Sequence, residues 1–144
     1  MMPVYHVIAS TAISAGLFGW LKSWPATIAC FLSGIFIDLD HHVDYFLSEK
    51  RMPKSFRELV EFCEKNPTGK LYLIFHFYEL LAFLWAGIYF LRLGDVWVGM
   101  AVGLTTHMIF DQITNPLKPL AYFMFYRIKH QFNRKFLHVE GHFE

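Results

Sequence analysis

Residues 71–93 read LYLIFHFYELLAFLWAGIYFLRL. Wound as one helix, this run is roughly 34 Å long, enough to cross the ~30 Å hydrocarbon core of a bilayer. Besides its tyrosines, its titratable groups are His76, Glu79 and Arg92. Such a run lacks the polar face of a surface helix on a soluble domain, and reads as a transmembrane helix. Three other apolar runs, residues 4–21, 24–38 and 96–113, read the same way. The second is short for a full span, and Pro25 suits its first turn. The expected fold is all-α: a single-domain, polytopic membrane bundle of about four transmembrane helices with amphipathic interfacial helices.

Composition agrees. Apolar residues make up 55% of the chain and charged residues 17%, against roughly 25% charged in soluble domains. The net charge of +1 carries no basic footprint, so no nucleic-acid partner is expected. Cys30 and Cys63 fall in unrelated contexts with no paired-cysteine motif, and are expected as free thiols. The start, Met1-Met2-Pro3-Val4, has no basic region or small-residue cleavage site, so the first apolar run is not expected to be removed as a signal peptide.

Between the second and third runs lies a polar segment. Within it, Phe56, Leu59, Val60 and Cys63 recur at helical spacing behind Ser55, with Glu58 three residues on. This pattern predicts an amphipathic helix over 55–64, N-capped by Ser55, on the membrane surface or capping the bundle. The tail mixes aromatic and basic residues and predicts an interfacial helix over 117–130, with a short fifth span as the alternative. All of the 13 lysines and arginines except Lys22 and Arg92 lie in the 38–70 segment or the tail. By the positive-inside rule both termini are then cytoplasmic.

That topology brings polar residues from four helices to one depth. His6 opens the first helix; Asp38, Asp40 and His41 end the second; His76 and Glu79 begin the third; His107 and Asp111 end the fourth. His76 and Glu79 are three apart, and His107 and Asp111 four apart, so each pair shares a helix face. Small-residue stripes lead to these groups: Ser10 and Ser14, Cys30 and Gly34, Gly99 and Gly103. Small residues at this spacing let membrane helices approach closely. An aspartate at the centre of a spanning helix costs about 2.5–3.5 kcal/mol, which a divalent cation offsets. Imidazole and carboxylate donors suit zinc first, with manganese or iron as alternatives, and one or two ions. His42 and Asp44 are expected to face a loop, and His130, His138 and His142 to sit in an exposed tail.

Two segments carry a family resemblance: GIFIDLDH at residues 34–41 and HMIFDQITNP at residues 107–116. With the early His6 and with His76, they resemble the membrane-bound metal-dependent hydrolase family, of the LexA-regulated inner-membrane hydrolase type, more distantly similar to zinc-dependent phospholipase C. The resemblance runs from His6 to about Arg127. It implies His6, Asp38, Asp40, His41, His76, His107 and Asp111 as metal ligands, an inner-membrane location, and a hydrolase reaction class. One departure is Phe77 after His76, where the family usually has serine. The expected function is hydrolysis of a phosphoester or related bond in a lipid-like substrate at the cytoplasmic leaflet. Glu79 or Asp40 would serve as general base, and Arg127 would meet the substrate phosphate. The alternative is a metal-binding membrane protein without catalysis: a carrier, a sensor or a structural subunit.

Overall fold

The structure, a computed structural model, describes residues 3–65 and 69–139. Its elements are helices α1 (Pro3–Leu21), α2 (Trp24–Phe36), α3 (Asp40–Glu49), α4 (Phe56–Lys65), α5 (Tyr78–Leu91), α6 (Asp95–Thr114), α7 (Met124–Lys129) and α8 (Arg134–Leu137), with 3-10 turns at Ile37–Leu39 and Pro119–Tyr122. Among the described residues there are isolated bridges but no strands, so the fold is all-α. Two helical runs, Val4–Leu21 and Trp24–Glu49, are long and apolar enough to cross a membrane, while Tyr78–Leu91 is apolar but shorter. The chain divides into two compact units, Met1–Ile37 with Glu79–Asn115, and Asp38–Tyr78 with Pro116–Glu144.

Unit one is built on close helix contact. A side-chain carbon placed on Gly99 would overlap the backbone of Ala26, and one on Gly103 would overlap the Cys30 carbonyl and the Ser33 hydroxyl. The Ser33 hydroxyl also bonds the Met100 carbonyl at 3.1 Å. Gly99 meets Ala26, Gly103 meets Cys30, and His107 bonds Gly34, a constant offset of 73 residues. A constant offset means that α2 and α6 run parallel. Helix α1 runs antiparallel to α2, with Ser10 against Gly34 and Leu17 packed on Ala26 and Cys30. The small-residue stripes therefore do meet. Helix α5 is tied to α6 by Trp85 Nε1 donating to Thr105 Oγ1 at 3.1 Å.

Unit two departs more from expectation. Residues 71–77 are not helical, and the third helix begins only at Tyr78. Leu73 has a left-handed φ of 34°, which a helix cannot accommodate at an L-residue. The backbone groups that a helix would use are taken by side chains from elsewhere in the unit, as detailed below. The predicted tail helix is broken as well: Phe123, with extended backbone, separates the 3-10 turn Pro119–Tyr122 from α7, and the left-handed Gln131 and Phe132 (φ of 54° and 59°) turn the chain just after it. In its place are short turns pinned to the 69–71 segment, with Leu71 N–H bonding the Phe132 carbonyl at 2.8 Å. Helix α3 was not expected, since the sequence from Asp38 onward reads as a polar loop.

Helix α4 forms as its capping signature predicts. Glu58 N–H bonds the Ser55 hydroxyl at 3.2 Å. The Glu58 carboxylate accepts from Lys54 N–H at 2.6 Å, Tyr45 Oη at 2.7 Å and Arg51 Nη2 at 2.5 Å. Its apolar face, Leu59 and Phe62, packs on Tyr45 of α3. The Arg51 guanidinium, then the Lys54 N–H and the Tyr45 hydroxyl, hold the Glu58 carboxyl down at about 2, against an ordinary 4.5.

Two predictions follow from these contacts. Gly103→Ala should destabilise unit one by about 1–3 kcal/mol, because the neighbour is backbone and cannot yield. Gly16→Ala, with nothing within 4 Å, should be neutral or stabilising by up to about 1 kcal/mol; thermal unfolding in detergent compares them. Glu58 has a depressed folded pKa, so its contribution is complete above 4.5 and is lost as pH falls toward 2. Glu58→Gln should lower the melting temperature at neutral pH and remove that portion of the acid-induced decline.

Candidate metal centre

In unit one, His6 in the first turn of α1 and His107 and Asp111 in α6 form one group. All three are buried, at 4%, 3% and 3% exposure. His6 Nε2 lies 3.2 Å from Asp111 Oδ1, and His107 Nε2 lies 3.5 Å from Asp111 Oδ2. The two imidazoles stack with centroids 4.0 Å apart and planes inclined by 16°. His107 Nδ1 bonds the Gly34 carbonyl at 2.8 Å. Gly34 sits in the last turn of α2, where carbonyls lack an ordinary intrahelical partner. A carbonyl only accepts, so Nδ1 carries the ring proton and Nε2 presents its lone pair toward Asp111.

One ligand atom from each of these three residues lies within 4.8 Å of the others, a spacing that could hold a metal ion. Ligands of a tetrahedral zinc, at ~2.0–2.1 Å from the metal, stand ~3.3 Å apart. The observed 3.2 and 3.5 Å separations are on that scale. Two imidazoles and one carboxylate also match the three-ligand sets of zinc sites that keep a position open. The donor set fits a divalent ion.

Unit two holds Asp38, Asp40, His41 and His76. Asp40 is buried at the start of α3. Its Oδ1 accepts from Ile74 N–H at 3.1 Å, and its Oδ2 from Phe75 N–H at 2.7 Å and His76 Nδ1 at 3.1 Å. The sequence casts Asp40 as ligand or general base, whereas here it orients His76, fixing the proton on Nδ1 and directing Nε2 elsewhere. His76 Nε2 is 4.0 Å from Asp38 Oδ1. His41 Nε2 is 3.7 Å from the same oxygen, and its Nδ1 is 3.6 Å from the Cys63 sulfur. Burial pushes the Cys63 thiol up to about 11, so at neutral pH it is protonated.

Arg127 is placed far from its expected role. It is fully buried. Its Nε donates to the Ala121 carbonyl, Nη1 to the Tyr72 and Leu73 carbonyls at 3.1 and 2.7 Å, and Nη2 to the His76 carbonyl at 2.7 Å. Together Asp40 and Arg127 satisfy the backbone of 72–76 from opposite sides of the charge scale. That is why the segment need not be helical. Glu79, the other general-base candidate, lies in the first turn of α5 and is partly buried.

The sequence missed a buried ion pair. Asp44, read as loop-facing, is fully buried and accepts from Arg134 Nη2 at 3.0 Å and Tyr72 N–H at 2.7 Å. Arg134 also donates to the Lys70, Phe62 and Cys63 carbonyls and covers the Phe62 ring. The available signal was the four-residue spacing of Asp40 and Asp44, which sets both on one face of a helix. His138, expected in an exposed tail, is buried with Nδ1 3.0 Å from the Arg134 carbonyl. His130 makes tilted ring contacts with Tyr126 and Phe136. His42 is partly buried in α3, and His142 lies outside the described residues.

Arg127→Lys should not preserve this arrangement. An ammonium cannot reproduce a fork spread over several carbonyls, and each buried carbonyl left unsatisfied costs about 1–3 kcal/mol. The expected outcome is a loss of on the order of 2 kcal/mol or more, measured by denaturant unfolding, with Arg127→Met at least as damaging.

Comparison with protein-family models, with curated proteins and with solved structures gives no match to this chain.

Proposed function

We propose that the protein is a membrane-embedded, metal-dependent hydrolase acting on a phosphoester or related bond of a lipid-like substrate. The observation that carries the metal part is the buried group of His6, His107 and Asp111, with the proton of His107 fixed on Nδ1 by the Gly34 carbonyl. A buried aspartate between two imidazoles is costly unless a cation or a proton compensates it. Zinc is the first candidate, with manganese or iron behind it. Bound there, the ion would polarise a phosphoryl oxygen and activate water. His76, oriented by Asp40, and Asp38 supply further donors in unit two, where a second ion is part of the proposal. Since Asp40 is occupied with backbone N–H groups and His76, Glu79 is the carboxylate proposed as general base.

The membrane part of the proposal is a bundle of about four spans in a cell inner membrane, with both termini cytoplasmic. It is supported by two helical runs of sufficient length and apolarity and by the distribution of lysine and arginine. The hydrolytic part is supported by the resemblance of residues 34–41 and 107–116 to the membrane-bound metal-dependent hydrolases. A second reading has the same ligands without turnover, as a metal-binding carrier, sensor or structural subunit; the stacked, mutually paired imidazoles favour it, since such a group also holds together without substrate.

Metal analysis of the purified full chain should give at least one divalent ion per chain, and His107→Ala and Asp111→Ala should each lose it. A metal-free parent protein overturns the proposal. A panel of phosphoester lipids, assayed with and without chelator, then separates the readings. Chelator-sensitive release of phosphate or headgroup supports the hydrolase, and metal without turnover supports the second reading.

A further inference from the structure

Helix α3 has its polarity reversed. Asp40 and Asp44, at 2% and 0% exposure, face inward, while Leu39, Val43 and Phe46, at 55%, 37% and 47%, face outward. The last three recur at four and three residues, with Leu39 as the N-cap, and Lys50 follows the helix as its C-cap. In a water-soluble helix these two faces would be exchanged. The reversal recurs elsewhere in unit two. Phe75 is exposed beside the buried His76, and Ile128 beside the buried Arg127. Buried charge and exposed large apolar groups are the informative departures from ordinary burial.

We infer that unit two is immersed at the headgroup–acyl boundary of the bilayer, with the Leu39–Val43–Phe46 stripe of α3 against lipid acyl chains and Lys50 marking the anionic headgroup level. This rests on the membrane reading given above and extends it to α3, which the sequence reads as part of a polar loop. Three observations favour lipid over a protein partner. Reversed polarity on separate elements calls for an apolar surrounding, whereas a docked partner needs only one face. The stripe spans about 10 Å along the helix, close to the ~5–10 Å depth that interfacial helices reach. It ends at Phe46, and beyond the helix follow Lys50 and Lys54, cations of the kind that anionic headgroups attract. The candidate span Trp24–Glu49 also includes α3 in sequence.

Site-directed spin labelling of the full chain in nanodiscs of phosphatidylethanolamine and phosphatidylglycerol tests this. With Cys30→Ala and Cys63→Ala as background, single labels are placed by Val43→Cys, Phe46→Cys, Arg57→Cys and Ile8→Cys. Power saturation then compares access to oxygen with access to a water-soluble nickel chelate. The expected result is oxygen access exceeding nickel access severalfold at 43, 46 and 8, and the reverse at 57. Nickel access at 43 and 46 matching that at 57, with 8 still lipid-exposed, overturns the inference and leaves the membrane reading intact. Nickel access at 8 as well overturns both. Labels at 43 and 46 shielded from both reagents, with spin–spin broadening that grows with labelled fraction, would show a second copy covering the stripe, and this too overturns the inference.

Discussion

The backbone contact between α2 and α6 is the constraint on which the rest of unit one depends. Gly99 and Gly103 leave no room for side chains against Ala26 and Cys30. Without that proximity the His107 ring could not reach the Gly34 carbonyl. With it, the ring is held by a bond to backbone, its proton is assigned, and its other nitrogen is turned toward Asp111. Helix α1 then brings His6 to the opposite carboxylate oxygen.

Unit two reaches order by another route. Its buried guanidinium groups take the place of regular secondary structure: Arg127 gathers the carbonyls of 72, 73, 76 and 121, and Arg134 those of 62, 63 and 70 along with the Asp44 carboxylate. Carboxylates serve the complementary N–H groups, Asp40 at Ile74 and Phe75 and Asp44 at Tyr72. Buried charges are tolerated where they are paired and hydrogen-bonded, and here each charged group is partnered several times over.

Sequence patterns carried unit one well. The small-residue spacing named the contacting stripes, and the spacing of His107 and Asp111 gave their shared face, because helical periodicity is a local property visible in the chain. The cap of α4 at Ser55 and Glu58 was legible for the same reason. The failures share an opposite cause. The 71–77 segment reads as helix by apolarity, but its conformation is decided by Asp40 and Arg127, more than 30 and 50 residues away. Arg127 reads as a cation for a substrate phosphate on an interfacial tail, whereas its partners are carbonyls, which leave no trace in residue identity. Helix α3 was hidden because its polar face, read for water, was the inward one.

The clamp at residues 72–76 has a consequence for how this chain can change. Arg127 and Asp40 grip main-chain atoms of the segment, which every residue but proline provides alike. Side chains at Ile74 and Phe75 are exposed, at 39% and 51%. Sequence drift at those two positions would therefore leave the path of the segment and the aim of His76 unaltered, while a single proline at 74 or 75 would delete a donor that Asp40 needs. The segment is tolerant of side-chain chemistry and intolerant of backbone chemistry. Its shape is inherited through two residues that lie outside it.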